Sequence, residues 1–594
     1  MGYDNTGGLM KKHFLSVIAG ILLLAAWTHG QTPDPASFLD QARSLVEQKQ
    51  YAAALEVYAK IESWLWRDPG LVIEMALAQT YADRHAEAIR LFEEVRKQRP
   101  EKQYEFLADL GDQYCWNGQA KEAEPVFRAA LQHNPQDLRA RLGLGRALLW
   151  SDQPRAAGEE YDRVLAVQPA NIEALNGKAD ALSRIDRLEE AIRLFQQVTA
   201  IDPHNVGALN GIARCRVWQG YHRQGRDLYL AVIKEFPGNP DALEGLAFAQ
   251  HWDGRDDQAN QTLSGLIAAY PERQAGQQLH REIEYAQQPV ITQGNRYWRD
   301  KYGNSTQQHD LRAGFHLDEV TTLEAIYDWR RFGDRNNPDM DVNRAGIGIG
   351  HKFSDLIELN SFWYANDYDY ADFTPLTADN WLTLRPNDLW RFDFAYNRET
   401  YEGQQASLNH IVMDSGSASA DFLPNRYLLF SGKYKYSSYS DNNEQSSFLG
   451  KAELRVCQKP YVKFYYNYYD STWADQYDHG YFNPKRYHSH TLGLYTGFNI
   501  TERLFFETQA SYGHEWQVPN ADNPTYFAAA GFRYRIVENW QLLGRSEFFE
   551  ASPDSSHNSG GYRETMVFLG ISHNFGEPSG ELSGEEILQR RSRR

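Results

Sequence analysis

Cysteine is almost absent: Cys115, Cys215 and Cys457 are the only three in 594 residues, and they stand far apart. That spacing offers no metal-ligand pattern, so neither a structural disulfide nor a zinc site is expected. Basic clusters are missing too. The formal net charge is -18 and the isoelectric point is near 5.5, which excludes nucleic acid as a partner, since binding phosphates needs a basic surface. Long apolar runs are also lacking. The one candidate, Phe14 to Trp27, is about fourteen residues, short of the roughly 20 that a membrane helix needs. A mean hydropathy of -0.64 argues against a helical membrane protein, but leaves open a barrel, whose lumen and loops are polar. No P-loop, nucleophile elbow or dinucleotide fingerprint sits at a strand-to-helix junction. No pair of carboxylates is marked as flanking a closed cleft, as glycoside hydrolysis requires. The expectation is therefore a protein that is not an enzyme and carries no cofactor.

What the chain does have is length and an uneven distribution of aromatics. Its 594 residues exceed what one core organises, and most of the 36 Tyr and 29 Phe fall beyond residue 290. The N-terminus reads as an export signal over residues 1–30: Lys11 and Lys12 precede the apolar stretch, and Thr28-His29-Gly30 offers a cleavage site before Gln31. Met1 and Met10 are both candidate starts.

Pro100, Pro135, Pro169, Pro203, Pro237 and Pro271 recur at about 34 residues, the tetratricopeptide period. Eight residues before them stand Phe92, Phe127, Tyr161, Phe195, Tyr229 and Leu263, and four residues earlier Ala88, Ala123, Ala157, Ala191, Gly225 and Ala259. On the preceding helix fall Gly111, Gly145, Ala179, Ala213 and Ala247. Paired antiparallel helices pack closely only where small residues occupy the crossing points, and the aromatic fills the gap toward the next pair. A divergent first copy (Tyr51, Ala54, Tyr58, Pro69) makes about seven repeats over residues 36–273, with a linker at 274–287. Trp116, Trp150, Trp218 and Trp252 share one repeat position, with Arg184 in the missing slot. They are candidates for a repeat-face aromatic ladder that stacks on a polymer or peptide, or else packing residues under the interhelix turn.

After about residue 288 the helical period gives way to alternation in segments of about ten residues. The reading is an antiparallel transmembrane β-barrel over 288–576 with about sixteen strands, followed by a polar tail at 577–594. The expected strands are 290–299, 306–317, 320–331, 341–352, 355–366, 379–385, 388–400, 407–421, 426–439, 445–456, 460–470, 487–498, 503–514, 525–536, 539–549 and 562–575. Short turns at Asp318-Glu319, Ser354, Asn387, Pro424-Asn425, Lys459, Thr501-Glu502 and Glu538 alternate with longer connections. Acidic residues such as Asp367, Asp369, Asp372 and Asp379 are placed in outer loops. This is how outer-membrane barrels are built, and an even strand count returns both chain ends to the periplasm, so the repeats are expected there. Phe575 supplies the terminal aromatic expected by the barrel-insertion machinery.

Strand parity assigns candidate lumen positions to Glu324, Asp328, Arg330, Glu358, Arg391, Asp393, Lys433, Lys435, Lys451, Glu453, Arg455, Lys463, Glu507, Arg533, Arg535, Arg545 and Glu547. Their signs are mixed, so they either line a hydrated path or pair across strands and stiffen the wall. His488 and His490 share a strand face and are candidates for a metal, or simply polar lumen or rim positions. No metal is assigned.

The order of signal, tetratricopeptide array and sixteen-strand barrel resembles the exopolysaccharide-export porins, namely the PgaA-like poly-N-acetylglucosamine and BcsC-like cellulose exporters. The barrel is also similar to the YaiO-type outer-membrane family. The supporting motifs are Leu149-Trp150-Ser151, Val217-Trp218-Gln219-Gly220 and Tyr481-Phe482-Asn483-Pro484. The resemblance implies a bacterial outer-membrane protein in contact with lipid, exporting a polysaccharide chain, with periplasmic repeats that guide polymer or bind protein partners. The competing readings are a membrane-anchored interaction scaffold and a general diffusion porin.

Overall fold

The computed structural model describes residues 34–575 apart from 302, 319, 335–337, 370–371, 402–403, 459, 481–482, 519–521, 538 and 552–561. The export signal, the polar tail, Tyr481-Phe482 and the turn residues Glu319, Lys459 and Glu538 lie outside the described residues. The chain divides into two compact units, one ending at Asn205 and the other starting at Val206.

In the first unit α1 (Pro35–Glu47) is followed by α2 (Tyr51–Lys60) and the single-turn α3 (Glu62–Leu65). The pairs α4 (Pro69–Tyr81) and α5 (His85–Gln98), α6 (Leu107–Trp116) and α7 (Ala120–His133), α8 (Leu138–Trp150) and α9 (Pro154–Val167), and α10 (Ile172–Arg184) and α11 (Leu188–Ile201) complete it. First helices begin where a side-chain oxygen satisfies a free backbone amide: Asp137 accepts from Ala140 at 3.0 Å and Asn171 from Ala174 at 2.9 Å. The alanines at the 34-residue period, Ala88, Ala123, Ala157 and Ala191, are fully buried, as are Phe92 and Phe127. Each ring presses against backbone of the following pair. A Cβ at Gly143 would stand 2.3 Å from the Phe127 ring, and one at Gly177 would stand 2.2 Å from the Tyr161 ring. Only glycine lets the ring so close. Pro69 does not close the first copy; it opens α4, because a proline in the first turn forgoes only an amide that has no intrahelical partner.

The second unit starts with α12 (Val206–Trp218), α13 (His222–Glu235), α14 (Pro240–Trp252) and α15 (Asp256–Ala269). Residues 274–287, expected as a linker, form α16 (Gln274–Gln287). Its Leu279 and Ile283 bury against Ala259, Leu263 and Leu266, which a last helical pair otherwise exposes.

The remainder is a sheet of β1 (Val290–Asp300), β2 (Ser305–His316), β3 (Thr321–Gly333), β4 (Met340–Lys352), β5 (Ile357–Tyr368), β6 (Leu376–Leu384), β7 (Trp390–Thr400), β8 (Val412–Asn425), β9 (Leu428–Tyr439), β10 (Glu444–Gln458), β11 (Tyr461–Trp473), β12 (Arg486–Thr501), β13 (Leu504–Val518), β14 (Asp522–Val537), β15 (Trp540–Ala551) and β16 (Tyr562–Asn574). Neighbours in sequence pair antiparallel, and β1 closes on β16 from Val290↔Asn574 to Asp300↔Glu564. The barrel thus has no free edge.

Several strand ends differ from expectation by a few residues, β6 beginning at Leu376 and β11 and β13 running on to Trp473 and Val518 among them, and three differences have a clear bearing on the fold. Residues 407–411, read as strand, belong to the short helix α17 (Gln404–Leu408) and the turn after it, whose Ala406 and Ile411 bury with Met413 and Tyr439. The Pro424-Asn425 turn is instead the end of β8, where a register shift between Phe422 and Asn425 accommodates a proline that has no amide to give the ladder. Asp367 and Asp379, placed in outer loops, lie within β5 and β6.

One sheet face is apolar and bare: Ile347 is 70% exposed and Leu492 63%. The other carries most of the strand charges. A soluble sandwich has the reverse polarity, and a bare apolar outer face is consistent with an outer-membrane barrel. Aromatics band the outer face near the long connections, where Tyr468 lies 5.0 Å from His490 and His488 stacks at 4.8 Å on Trp516. Both histidines therefore sit on the outer face and not in the lumen. A second band near the short turns includes Trp390 against Phe422 and Phe498 against Phe506.

Candidate functional site

Because side chains alternate, ladder partners share a face. Following the register around the barrel puts Glu324, Asp328 and Arg330 of β3, Glu358 of β5, Arg391 and Asp393 of β7, Lys433 and Lys435 of β9, and Lys451, Glu453 and Arg455 of β10 on the inner face. Lys463 of β11, Glu507 of β13, Arg533 and Arg535 of β14, and Arg545 and Glu547 of β15 share it.

Most of these charges are paired along or across strands. Arg330 meets Asp328 at 2.8 Å and Arg391 meets Asp393 at 3.0 Å. Arg545 bridges Glu507 at 3.0 Å and also holds Glu547. Glu453, only 4% exposed, is gripped by Lys451 and by Lys463 at 3.0 Å. Arg385 faces Glu358 at 3.4 Å, and Arg535 donates to the Glu502 carbonyl at 2.7 Å. Such pairs stiffen the wall, since a lone charge sheltered from water is costly. Glu324, Lys433 and Lys435 make no ion pair with any described residue.

The same face carries aromatics that the search for charged lumen positions passed over. Trp381 stacks on Phe362 at 5.4 Å, Arg344 lies 3.8 Å over Tyr364, and Tyr469 packs 5.9 Å from Tyr487. Phe362 and Tyr364 share parity with Glu358, Trp381 with Asp379 and Tyr469 with Lys463, whereas no charged residue of β12 shares the parity of Tyr487. Toward the long connections Tyr401, Met413, Lys435, Tyr439, Gln445, Tyr469, Trp473 and Tyr487 line a cavity of about 410 Å³.

The opposite, short-turn end carries the helices of the same unit. The backbone amides of Arg223 and Gln224, at the N-terminus of α13, donate to the two oxygens of Asp388 in the β6–β7 turn at 2.9 and 3.2 Å. Free helix-start amides and the helix dipole favour a carboxylate there. Burial pushes the Asp388 carboxyl above the usual carboxylate range, while these two amides pull it back. The Arg223 guanidinium donates to the Arg385 carbonyl and to the Asp355 carbonyl at 2.7 Å, and meets Asp253 at 3.1 Å. Arg255 pairs with Asp355, and Lys352 donates to the Gly254 carbonyl at 2.6 Å. Tyr221 donates to the Pro424 carbonyl at 2.9 Å, and Arg426 donates to the Trp218 carbonyl at 3.0 Å. Three successive short turns are thus tied to the helices, and Asn574 adds a bond to the Tyr285 carbonyl. No period or parity marks these residues in the sequence.

The four repeat tryptophans fall into two environments. Trp116 and Trp150, in the first unit, are 47% and 49% exposed. In the second unit Trp218 lies under Arg214 and Trp252 packs 5.5 Å from Phe248. Arg184, in the missing slot, donates to the Leu149 carbonyl.

The tetratricopeptide repeat family model matches residues 116–181 and 219–283. No curated protein matches the chain. Among solved structures, one described as a bacterial polysaccharide outer membrane secretin is 13% identical, with 49% of this chain and 99% of that chain covered and a TM-score of 0.42. A tetratricopeptide repeat protein from Parabacteroides merdae is 14% identical over 42% of this chain and 98% of its own, with a TM-score of 0.39. Likeness at this level speaks to neither substrate nor partner. The chain carries tetratricopeptide repeats followed by a closed sixteen-strand antiparallel β-barrel.

Proposed function

We propose that this protein is a non-enzymatic conduit in the bacterial outer membrane through which an exopolysaccharide leaves the cell, its repeats standing in the periplasm. Residues 1–30 direct export, and Phe575, whose amide bonds to the Pro289 carbonyl at 3.0 Å, ends the barrel for the insertion machinery. The observation that carries the reading is the fastening of repeat helices to three short turns, Asp355, Asp388 and Arg426 among the contacts. Short turns of such barrels face the periplasm. A repeat surface held at that mouth is positioned to hand a polymer, or a partner carrying it, to the polar inner wall. That wall supplies ion-paired and aromatic positions rather than one deep site, and conduction requires contacts weak enough to release.

The test is twofold. Purified protein in planar bilayers is expected to conduct ions, and deletion of the gene is expected to abolish secreted polymer while synthesis continues inside. A barrel that never conducts, with polymer secretion intact in the deletion strain, overturns the reading.

A second reading is an outer-membrane scaffold in which the repeats recruit periplasmic proteins. The exposed Trp116 and Trp150, which recur at one repeat position, favour it, since rings with an apolar body and a polar edge suit a partner surface. Crosslinking of the full chain in cells separates the two: a stoichiometric protein partner lost on Trp116→Ala together with Trp150→Ala, with secretion unaffected, supports the scaffold.

A further inference from the structure

The cavity near the long connections differs from the rest of the inner wall in its chemistry. Five of its eight lining residues are rings, Tyr401, Tyr439, Tyr469, Trp473 and Tyr487, and Gln445 adds an amide. Two of the tyrosines are held in place by hydrogen bonds, Tyr487 to Glu515 at 3.0 Å and Tyr439 to Gln445 at 3.1 Å. A volume of about 410 Å³ lies within the range of roughly 300–1,000 Å³ typical of small-ligand pockets. Flat rings with polar edges suit a ligand with apolar faces and a hydroxylated rim, which describes a pyranose ring.

The charge is the second observation. Lys435 lines the cavity, and neither it nor Lys433 has an ion-pair partner among the described residues. Glu399 and Asp379 act on Lys435 electrostatically without forming an ion pair with it. On the inward face Lys433 and Lys435 of β9 stand nearest the cavity, where Glu515 is taken up by Tyr487, while Lys451, Arg455 and Lys463 lie toward the short turns around Glu453. Burial without a direct ion-pair contact is unfavourable for an ammonium group, so a lysine among rings that no carboxylate touches is suited to an incoming anion. Two further polar groups sit at neighbouring register positions. The hydroxyl of Ser437, between Lys435 and Tyr439, is buried with no hydrogen-bond partner among the described residues, and so is that of Ser471, between Tyr469 and Trp473.

Resting on the export reading, we propose that this cavity is a binding site for a carboxylate-bearing sugar of the exported chain, so that the polymer is an acidic polysaccharide. Lys435 pairs with the uronate carboxylate while Tyr469, Trp473 and Tyr487 cover the ring faces. The connections above are tied to one another, Asn409 donating to the His479 carbonyl at 3.0 Å and Asn443 to that of Asp475 at 3.0 Å, so the site has a built rim.

The test uses the full chain in detergent and isothermal titration with tetragalacturonate, with neutral cellotetraose and the cationic glucosamine tetramer as comparators. Tetragalacturonate is expected to bind at least tenfold more tightly than either, and more weakly at high salt. Lys435→Gln is expected to remove about tenfold of that preference while leaving cellotetraose unchanged, and Lys435→Arg to keep most of it. Trp473→Ala is expected to weaken both ligands. Equal binding of the three oligosaccharides, or a preference unmoved by Lys435→Gln, overturns the proposal. Conductance of the same preparation separates this inference from the conduit: an open barrel without uronate preference removes the acidic site alone, whereas a closed barrel that binds uronate keeps the site and removes the conduit.

Discussion

Replacing Asp388 by alanine tests whether the helices are truly fastened to the barrel. The carboxylate is the acceptor for the amides of Arg223 and Gln224, which begin α13 and have no intrahelical acceptor. Loss of a helix-start acceptor costs about 0.5–2 kcal/mol, and no charge contribution is added, because burial of the carboxylate outweighs the favourable dipole at the helix start. Asp388→Ala is therefore expected to weaken the local structure by about 1.4 kcal/mol, equivalent to roughly tenfold. Hydrogen exchange read by mass spectrometry on peptides spanning residues 219–230 is expected to accelerate by about that factor, while the α10 segment is unchanged. Asp388→Asn retains an acceptor oxygen and is expected to lose under about 1 kcal/mol. The pH dependence has a definite sign. The docked carboxyl is the weaker acid because burial outweighs its two hydrogen bonds, so docking is favoured by protonation. Its stabilising contribution is greatest at low pH and declines as pH rises through the raised value, so lowering pH from about 7 to 5 is not expected to release the helices through this group. Unchanged exchange in Asp388→Ala refutes the assignment of this turn as a fastening point.

Phe127→Ala opens a cavity between successive helix pairs and is expected to cost about 3–5 kcal/mol, seen as a lower denaturation midpoint for the first unit with the barrel signal unmoved. Gly177→Val drives a side chain into the Tyr161 ring and is expected to destabilise the same unit by more than about 1 kcal/mol, measured the same way. Burial pushes the Cys115 thiol up to about 12, so iodoacetamide at about pH 8 is expected to leave Cys115 unlabelled until denaturant is added. Glu453→Gln removes the charge that Lys451 and Lys463 share, and bilayer conductance is expected to shift toward anions; unchanged ion selectivity would show that this triad lies off the ion path.

How much of this was legible in the residues depends on the range of the interaction that places them. Local and periodic features were readable. The prolines at 34-residue spacing announce paired helices, because helix packing demands a small residue at each crossing and a stop after each second helix. Alternation from Phe448 to Val456 announces a strand with one face toward apolar surroundings, because successive side chains point opposite ways. Features that depend on what arrives from elsewhere were not. Residues 274–287 carry few apolar positions, and they become a helix because Leu279 and Ile283 meet the exposed side of α15. Residues 407–411 leave the sheet because Ala406 and Ile411 find Met413 and Tyr439. Trp473 and Lys435 lie 38 residues apart and form one cavity only when β9, β10 and β11 register.

The sequence by itself determined the repeat period, the strand number and which parity of each strand carries charge, since each follows from the geometry of a single helix or strand. Tertiary structure alone decided that Arg223 and Arg255 would fasten the last repeats to the short turns, and that one wall would leave Lys433 and Lys435 unpaired. Both outcomes rest on contacts between segments a hundred or more residues apart or on the count of charges around a closed ring, and neither quantity exists until the barrel closes.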